Sequence, residues 1–553
     1  MYKYRTILII IAVLFISKSI ESKRISSQKP CAAKSIPGQS VVCVCNTTYC
    51  DEVMREFPRK KHYVAYTSSK AGSRFKKSHG RFNSPTYPDD SCVETLYVNP
   101  KKKHQKIKGF GGAITDATGI NLKSLPAKMQ QYMIDSYFSS RGIEYNMMRV
   151  PIGGSDFSTH RYYYNELPID DTELTNYTLT REDYQYKIPV IKACEKAATA
   201  PVYVLGSVWS PPVWMIDHFK AGGLNRLNPK YMQTYALYFL RFLEQYMENG
   251  IKLWGITTTN EPLDGVLPLG KFQHLGWSTK SMGEWIKNNL GPTIRNSKFN
   301  DTMILAVDDQ RFSVPMWFNI LIEQVPEAEK YIDGIGVHFY FDQITPPMLL
   351  KEAIKDHPDK FIISTEACEG SSSPKGEKVI LGSWKRAQRY IVDILEDLLN
   401  DVAGWIDWNM CLDMQGGPNW AKNFVDSPII VDAKKKEFYK QPMFFAMGHV
   451  SKFVKRDSYR IEMTNVTVCP VPENGDYESS ENIYESNTDT NPPAYDSAAF
   501  VTPDNTIVIV IHNQGSEKTV VVKMGDKEAV VQLEASSITT VEFLNDENFF
   551  ECK

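Results

Sequence analysis

A chain of 553 residues is longer than one hydrophobic core usually supports, so a large domain with at least one smaller one is expected. The composition is globular, and a formal charge of −2 with histidines neutral leaves no basic surplus for nucleic acid. Protonating all ten histidines would raise the charge to about +8, which in an acidic compartment favours peripheral contact with anionic membranes, although most near-neutral proteins become cationic in acid.

Residues 1–22 open on the basic stretch Met1-Tyr2-Lys3-Tyr4-Arg5, followed by an apolar run from Ile7 to Ile16 too short to span a bilayer. A cleaved signal peptide is expected. No later uninterrupted apolar run reaches about 18 residues, so the mature protein is expected to be soluble and to touch membranes only at their surface. The secretory route gives meaning to the ten cysteines. Cys31, Cys43, Cys45 and Cys50 crowd together within residues 23–100, an expected N-terminal β segment, and predict two local disulfides with three connectivities open. Cys469 and Cys552 are a candidate third pair; Cys92, Cys194, Cys368 and Cys411 are scattered and are assigned no chemistry. Glycosylation sequons stand at Asn46, Asn176, Asn300 and Asn465.

From 101 to 432, eight short apolar runs alternate with stretches long enough for helices. They are Ile107 to Gly111, Tyr145 to Pro151, Val202 to Ser207, Leu253 to Thr258, Met303 to Asp308, Gly334 to Tyr340, Phe361 to Thr365 and Gly404 to Asn409. Eight such units predict a (β/α)8 barrel, fold class α/β. Asn228 to Asn249 carries Tyr231, Tyr235, Tyr238, Phe239 and Phe242 at helical spacing, an aromatic stripe suited to a core. Barrel active sites lie at the C-terminal strand ends. Those ends offer Asp116, Arg149, Trp209, Asn260, Glu261, Tyr340, Glu366 and Trp408, a set of carboxyls, hydrogen-bonding groups and aromatic plates that suits a sugar. Taken singly, Asp116 could cap a loop and the tryptophans could be core.

Glu261, in Thr257-Thr258-Thr259-Asn260-Glu261-Pro262, and Glu366, in Ser364-Thr365-Glu366-Ala367, each follow a strand-like run. Two carboxyls so placed can flank one glycosidic bond, one protonating the leaving oxygen and the other attacking the anomeric carbon. Arg149 is expected to support them by bidentate hydrogen bonds.

Beyond 433 the pattern turns to period-two alternation, as in Asn505 to Ile511 and Lys518 to Lys523, which predicts strands of a β-sandwich over 433–553. Asn474 to Asp496, acidic and nearly without aliphatic residues, is expected to be a surface insertion dispensable for chemistry.

Gly109-Phe110-Gly111-Gly112-Ala113, the Glu261 motif, Val337-His338-Phe339-Tyr340, Ser364 to Cys368, and above all Gly416 to Trp420 and Asn423 to Ile430 resemble the lysosomal acid β-glucosidase (glucocerebrosidase) family. The likeness runs from about Cys31 to the C-terminus. It implies a retaining hydrolase that cleaves glucosylceramide to glucose and ceramide, with Glu261 as acid/base, Glu366 as nucleophile and no metal or organic cofactor. It further implies sugar contacts at Asp116, Trp209, Asn260, Tyr340, Trp408 and Asn423, with Asn260 on the 2-hydroxyl. Disulfides Cys31 to Cys43 and Cys45 to Cys50 follow from the resemblance, as does a β-domain built from both chain ends. So do a glycosphingolipid substrate, a saposin-type activator, a transport receptor and lysosomal residence, with secretion as the alternative.

The loop from Leu263 to Trp277, with Gly270, Lys271 and His274, departs from the family pattern, as does Ser155; both bear on the aglycone. Two rival readings remain: a β-glucosidase for other glucosides such as those of sterols, and a glycan-binding protein without catalysis. The carboxyl pair argues against the second, since binding alone requires no matched acid and nucleophile.

Overall fold

The computed structural model describes residues 28–83, 93–217, 219, 225–264, 272–374, 377–468 and 497–545. The expected signal peptide, Cys92, Gly270, Lys271, Cys469, Cys552 and the acidic insertion lie outside the described residues. Eight parallel strands close a barrel: Gly109–Ala113, Met147–Ile152, Tyr203–Val208, Gly255–Thr257, Met303–Gln310, Gly334–His338, Phe361–Glu366 and Val402–Asn409. Each coincides with one of the eight apolar runs to within a few residues at either end. The glycines of the first strand serve close packing, since a Cβ on Gly111 would lie 2.0 Å from the Met147 carbonyl oxygen.

Side-chain alternation divides the barrel interior into layers. Met147, Leu205, Leu305, Ile363 and Ile406 form an apolar layer. Two residues further along their strands, Arg149, Ser207 and Thr365 begin a polar layer under the C-terminal mouth. On the fifth strand the same count would place Val307 inside. The register shifts between Val307 and Asp309, and both Val307 (φ 71°) and Asp308 (φ 55°) adopt left-handed backbone, so Asp308 joins the polar layer instead.

Helices clothe the barrel. Met232–Glu248 buries Tyr235, Tyr238, Phe239 and Phe242, the stripe its sequence displays. It is preceded by the short turn Pro229–Tyr231, which the Asn228 side chain caps. After the eighth strand, Pro442–Ser451 is buried along its whole length and packs on Trp384–Leu399. The barrel layer therefore extends past 432, because the last helix belongs to the eighth β/α unit.

The second layer is a nine-stranded sheet in the order Lys527–Leu533, Lys518–Met524, Val93–Lys106, Tyr459–Val468, Ser497–Val501, Thr506–Asn513, Ser537–Leu544, His62–Ser69 and Lys76–Arg81. It curls on itself: Asn83 N–H donates to the Glu528 carbonyl at 2.8 Å, linking the two ends. The curl encloses an apolar core that includes Tyr63, Ile507, Ile509, Val520, Val522 and Phe543. Strands from both chain ends thus form the sandwich. The expected boundary at 101 falls inside Val93–Lys106, a strand that runs from the sheet to the first barrel strand.

A third, five-stranded sheet joins Ala33–Lys34 and Val42–Asn46 to Cys411–Asp413, Ile429–Asp432 and Glu437–Lys440. The disulfides Cys31–Cys43 and Cys45–Cys50 staple its N-terminal side. Cys194, Cys368 and Cys411 are buried thiols. Asn176, Asn300 and Asn465 are exposed and Asn46 half-exposed. Among the described residues no helix is long and apolar enough to cross a membrane.

Candidate active site

A cleft of about 740 Å³ opens at the C-terminal mouth of the barrel, lined among others by Asp156, Trp209, Asn260, Glu261, Asp264, Phe272, Gln310, Tyr340, Phe341, Glu366, Trp408 and Asn423. Glu366 ends the seventh strand. Its Oε2 accepts from Arg149 Nη1 and its Oε1 from the Tyr340 hydroxyl at 2.6 Å. Glu261, with φ of 44°, sits in left-handed backbone just beyond the fourth strand, where its N–H donates to the Asp308 carbonyl at 3.0 Å. Its Oε1 accepts from Gln310 Nε2 at 2.8 Å and lies 3.0 Å from His338 Nδ1. Single polar atoms of Glu261, His338 and Glu366 all lie within 4.8 Å of one another.

Beneath this pair the polar layer forms one connected network. Arg149, fully buried, donates to Glu366, to Asn260 Oδ1 at 2.8 Å, to Asp308 Oδ2 at 2.9 Å and to Ser207 at 3.1 Å. Asp308 also accepts from Thr257 at 2.7 Å and Thr365 at 2.6 Å, and its Oδ1 lies 3.2 Å from His338 Nε2. Both ring nitrogens of His338 therefore face carboxylates, an arrangement that suits the imidazolium.

The electrostatics follow from these contacts. Burial, then the neighbouring Asp264 charge, holds the Glu261 carboxyl well above the ordinary carboxylate range, with His338 pulling the other way. Burial alone would lower the His338 pKa, but Glu366, Asp308 and Glu261 together push it up to about 10. Against the cost of burial, Arg149 and then His338 hold Asp308 well below the usual range. Burial, reinforced by the Glu366 charge, pushes Asp156 up to about 7.

The sugar-shaped part of the cleft is built from plates and amides. Trp209 and Trp408 stack with ring centres 5.1 Å apart, and the Arg149 guanidinium lies 5.0 Å and 5.4 Å from their ring centres. Asn260 Oδ1 is held by Arg149, which leaves its NH2 available to a ligand. Asp156 Oδ2 accepts from Asn419 at 3.0 Å and Asn423 at 3.1 Å, leaving its other oxygen for a hydroxyl.

The structure brings together Glu261, Glu366, Asn260, Tyr340, Trp209, Trp408, Asn423 and Arg149. Asp116 is the correction. It is buried outside the cleft lining, where it accepts from Ser158 at 2.7 Å and Tyr162 at 2.9 Å, and burial pushes its pKa up to about 6. The carboxylate that lines the cleft is Asp156, in the loop after the second strand. Sequence reasoning also missed Asp308, His338, Gln310 and Asp264. Two of these had visible signals: Asp308 closes the fifth apolar run, the only run with no residue among the candidates, and His338 stands two residues before Tyr340. His274 is buried, its Nδ1 3.0 Å from the Phe272 carbonyl, and Ser155 lies under the cleft, its carbonyl accepting from Trp420.

The model of the glycosyl hydrolase family 30 TIM-barrel domain matches residues 107–454, and that of the family 30 beta sandwich domain matches residues 483–541. Mouse lysosomal acid glucosylceramidase is 38% identical over 495 residues, covering 88% of this chain and 90% of that protein. A Caenorhabditis elegans protein with the provisional name glucosylceramidase 3 is 41% identical over 438 residues, covering 78% of this chain and 83% of its own length. SrfJ from Salmonella typhimurium has the same fold, with a TM-score of 0.74 at 21% identity over 87% of this chain and 99% of that one.

Proposed function

Since this chain belongs to the glucosylceramidases of glycosyl hydrolase family 30, we propose that it hydrolyses the β-glucosidic bond of glucosylceramide with retention of configuration, in the lysosome. It is a glycoside hydrolase, and the observation that carries the mechanism is the close carboxyl pair, Glu261 and Glu366, on one cleft. Polar atoms within 4.8 Å fit the roughly 5 to 5.5 Å spacing of retaining enzymes and not the 6.5 to 9.5 Å that leaves room for a water in inverting ones.

Glu366 attacks the anomeric carbon while Glu261 gives its proton to the glycosidic oxygen. The C–O bond to the aglycone breaks, and a glucosyl ester of Glu366 forms. Arg149 and Tyr340 fix the two Glu366 oxygens, which orients the nucleophile. Glu261 must be protonated at rest, and burial beside Asp264 and Glu366 favours that form. Gln310 and His338 occupy Oε1 of Glu261, so the proton belongs on Oε2. Esterification removes the Glu366 charge, which makes Glu261 a stronger acid. It then acts as base toward the water that cleaves the ester. The Asn260 amide is placed to donate to the 2-hydroxyl, and Asp156 with Asn423 to bind hydroxyls on the far side of the ring.

A lipid aglycone is supported by the rim. Phe341 lines the cleft and meets Phe312 edge-on at 5.6 Å, and Met316, Ile344 and Met348 are exposed on the adjoining segments, with Ile344 82% exposed. Such a patch beside a polar cleft suits acyl chains or a membrane surface.

The test is covalent labelling at pH 5 with a cyclophellitol-type epoxide, followed by intact mass measurement and peptide mapping. One adduct on the peptide containing Glu366 is expected; a folded protein that takes none overturns the assignment.

A further inference from the structure

One carboxylate in the cleft enters the mechanism only through its charge, which helps to keep Glu261 protonated. Asp264 follows Glu261 by three residues, and its N–H donates to the Glu261 carbonyl at 3.0 Å. This turn brings the Asp264 side chain back against the Glu261 carboxyl, to which it hydrogen-bonds. Glu261 is already positioned without it, because Gln310 and His338 hold Oε1 from the barrel side. Asp264 thus lies against the group that delivers the proton, and it also lines the cleft.

The surroundings of the cleft differ from point to point. Trp209 stacks on Trp408, and Asp156 accepts from Asn423, the plates and amides that suit the sugar, whereas Asp264 lies on the Glu261 side, where the Leu263 N–H donates to Asp309 and Gln310 donates to Glu261. When Glu261 reaches the glycosidic oxygen, the Asp264 carboxylate faces the first atoms of the leaving group. A negative acceptor there is unfavourable for a plain alkyl or aryl aglycone and favourable for one that carries an N–H donor close to the glycosidic oxygen.

We propose that Asp264 determines aglycone specificity by accepting a hydrogen bond from a nitrogen three bonds beyond the glycosidic oxygen, the position of the amine or amide nitrogen on C2 of a sphingoid base. The inference rests on the glucosylceramidase reading above and deepens it. A charged ammonium gains more from a carboxylate than a neutral amide does, since a charge-assisted hydrogen bond is about twice as strong. The N-deacylated glycolipid, glucosylsphingosine, is therefore favoured most by Asp264, and glucosylceramide to a smaller degree.

The experiment compares kcat/KM of the full-length enzyme, Asp264→Asn and Asp264→Ala on glucosylsphingosine, glucosylceramide and 4-methylumbelliferyl β-glucoside, whose aglycone has no N–H. Epoxide labelling confirms that each variant is folded. The readout is the ratio of each lipid to the aryl glucoside, which cancels any general effect on Glu261. The glucosylsphingosine ratio is expected to fall about tenfold in both variants, because both lose the charge. The glucosylceramide ratio is expected to fall about threefold in Asp264→Ala and to hold in Asp264→Asn, whose amide oxygen still accepts. Ratios that move less than twofold while all rates change together overturn the proposal, and Asp264 then acts only through Glu261. Wild-type enzyme that cleaves the aryl glucoside and neither lipid overturns the substrate reading along with it.

Discussion

The barrel mouth and the curled nine-stranded sheet bury side chains of opposite kinds. At the mouth, Arg149, Asp308, Asp309, His338, Glu261 and Glu366 are all buried, and three residues, Glu261, Val307 and Asp308, hold left-handed backbone. In the sheet, Ile507, Ile509, Val520, Val522, Val531 and Val541 interlock in an apolar core, and Thr506–Asn513 pairs with Ser537–Leu544 residue for residue. Burying charge is costly unless it is paired, and left-handed valine is strained. The mouth therefore carries local instability that its chemistry uses, while the sheet supplies packing alone.

The largest effect expected of this contrast is on turnover. Glu366→Gln keeps the shape of the side chain and removes the nucleophile, so kcat on an aryl β-glucoside should fall by at least about 10⁴-fold. The protein should stay folded, because the sheet core and the apolar barrel layer are untouched. A folded variant with near-wild-type kcat would remove Glu366 from the chemistry and with it the reason for so much buried charge.

Much of the barrel could be read from the chain because each strand is a short apolar run that ends in polar residues, and Phe361 to Thr365 before Glu366 shows the pattern plainly. Depth and backbone curvature were not legible. Asp116 and Asp156 are both polar residues following barrel strands, and nothing local tells which one enters the cleft. One is the first residue of the helix Asp116–Lys123, which Thr115 caps, and its carboxyl turns to Ser158 and Tyr162, while the other lies between Asn419 and Asn423. Asp308 closes the fifth apolar run, but its inward turn was hidden for a different reason. Strict alternation directs Val307 inward, and only the bulge, a backbone feature fixed by neighbouring strands, reverses it. His338 looked like part of a strand because its partners, Asp308 and Glu261, lie 30 and 77 residues away.

The contrast sharpens when each region loses one buried residue. Ile509→Ala in the sheet should cost about 2 to 5 kcal/mol of stability through the cavity it leaves, with kcat/KM of the remaining folded enzyme within about twofold of wild type. Asp308→Ala should cost a similar amount, about 3 to 5 kcal/mol, since the buried Arg149 and His338 each lose a carboxylate partner. It should also lower kcat/KM by about 100-fold or more, because the same two cations position Glu366 and Glu261. Thermal unfolding followed by fluorescence, together with steady-state kinetics on both variants, separates the cases. Equal kinetic losses would mean that the sheet and the mouth are mechanically coupled.

The smallest expected effect is on stability as a function of pH, and its sign depends on which region dominates. At the mouth and in the barrel wall, burial raises Asp116 to about 6 and Asp156, Asp309 and Asp342 to about 7. The folded state then holds more protons than the unfolded one between about pH 4 and 7, so the stability these groups contribute is full below the unfolded pKa and is lost as pH rises through the folded values. His338, raised to about 10, acts in the same direction, its contribution declining above about pH 6.5. Two histidines on the sheet side oppose this. Burial lowers His449, which lies against the sheet between Thr540 and Ser68, to about 3, and His512 to about 4. Each binds protons more readily when unfolded, so their contribution is lost as pH falls below about 6.5. Four carboxyls outweigh two histidines between pH 5 and 6.5, and His338 adds to the carboxyl side above that. The melting temperature should therefore be at least about 2 °C higher at pH 5 than at pH 7. A melting temperature that rises steadily from pH 5 to pH 7 would show that the sheet histidines govern and that the buried carboxyls of the mouth are ionised in the folded protein.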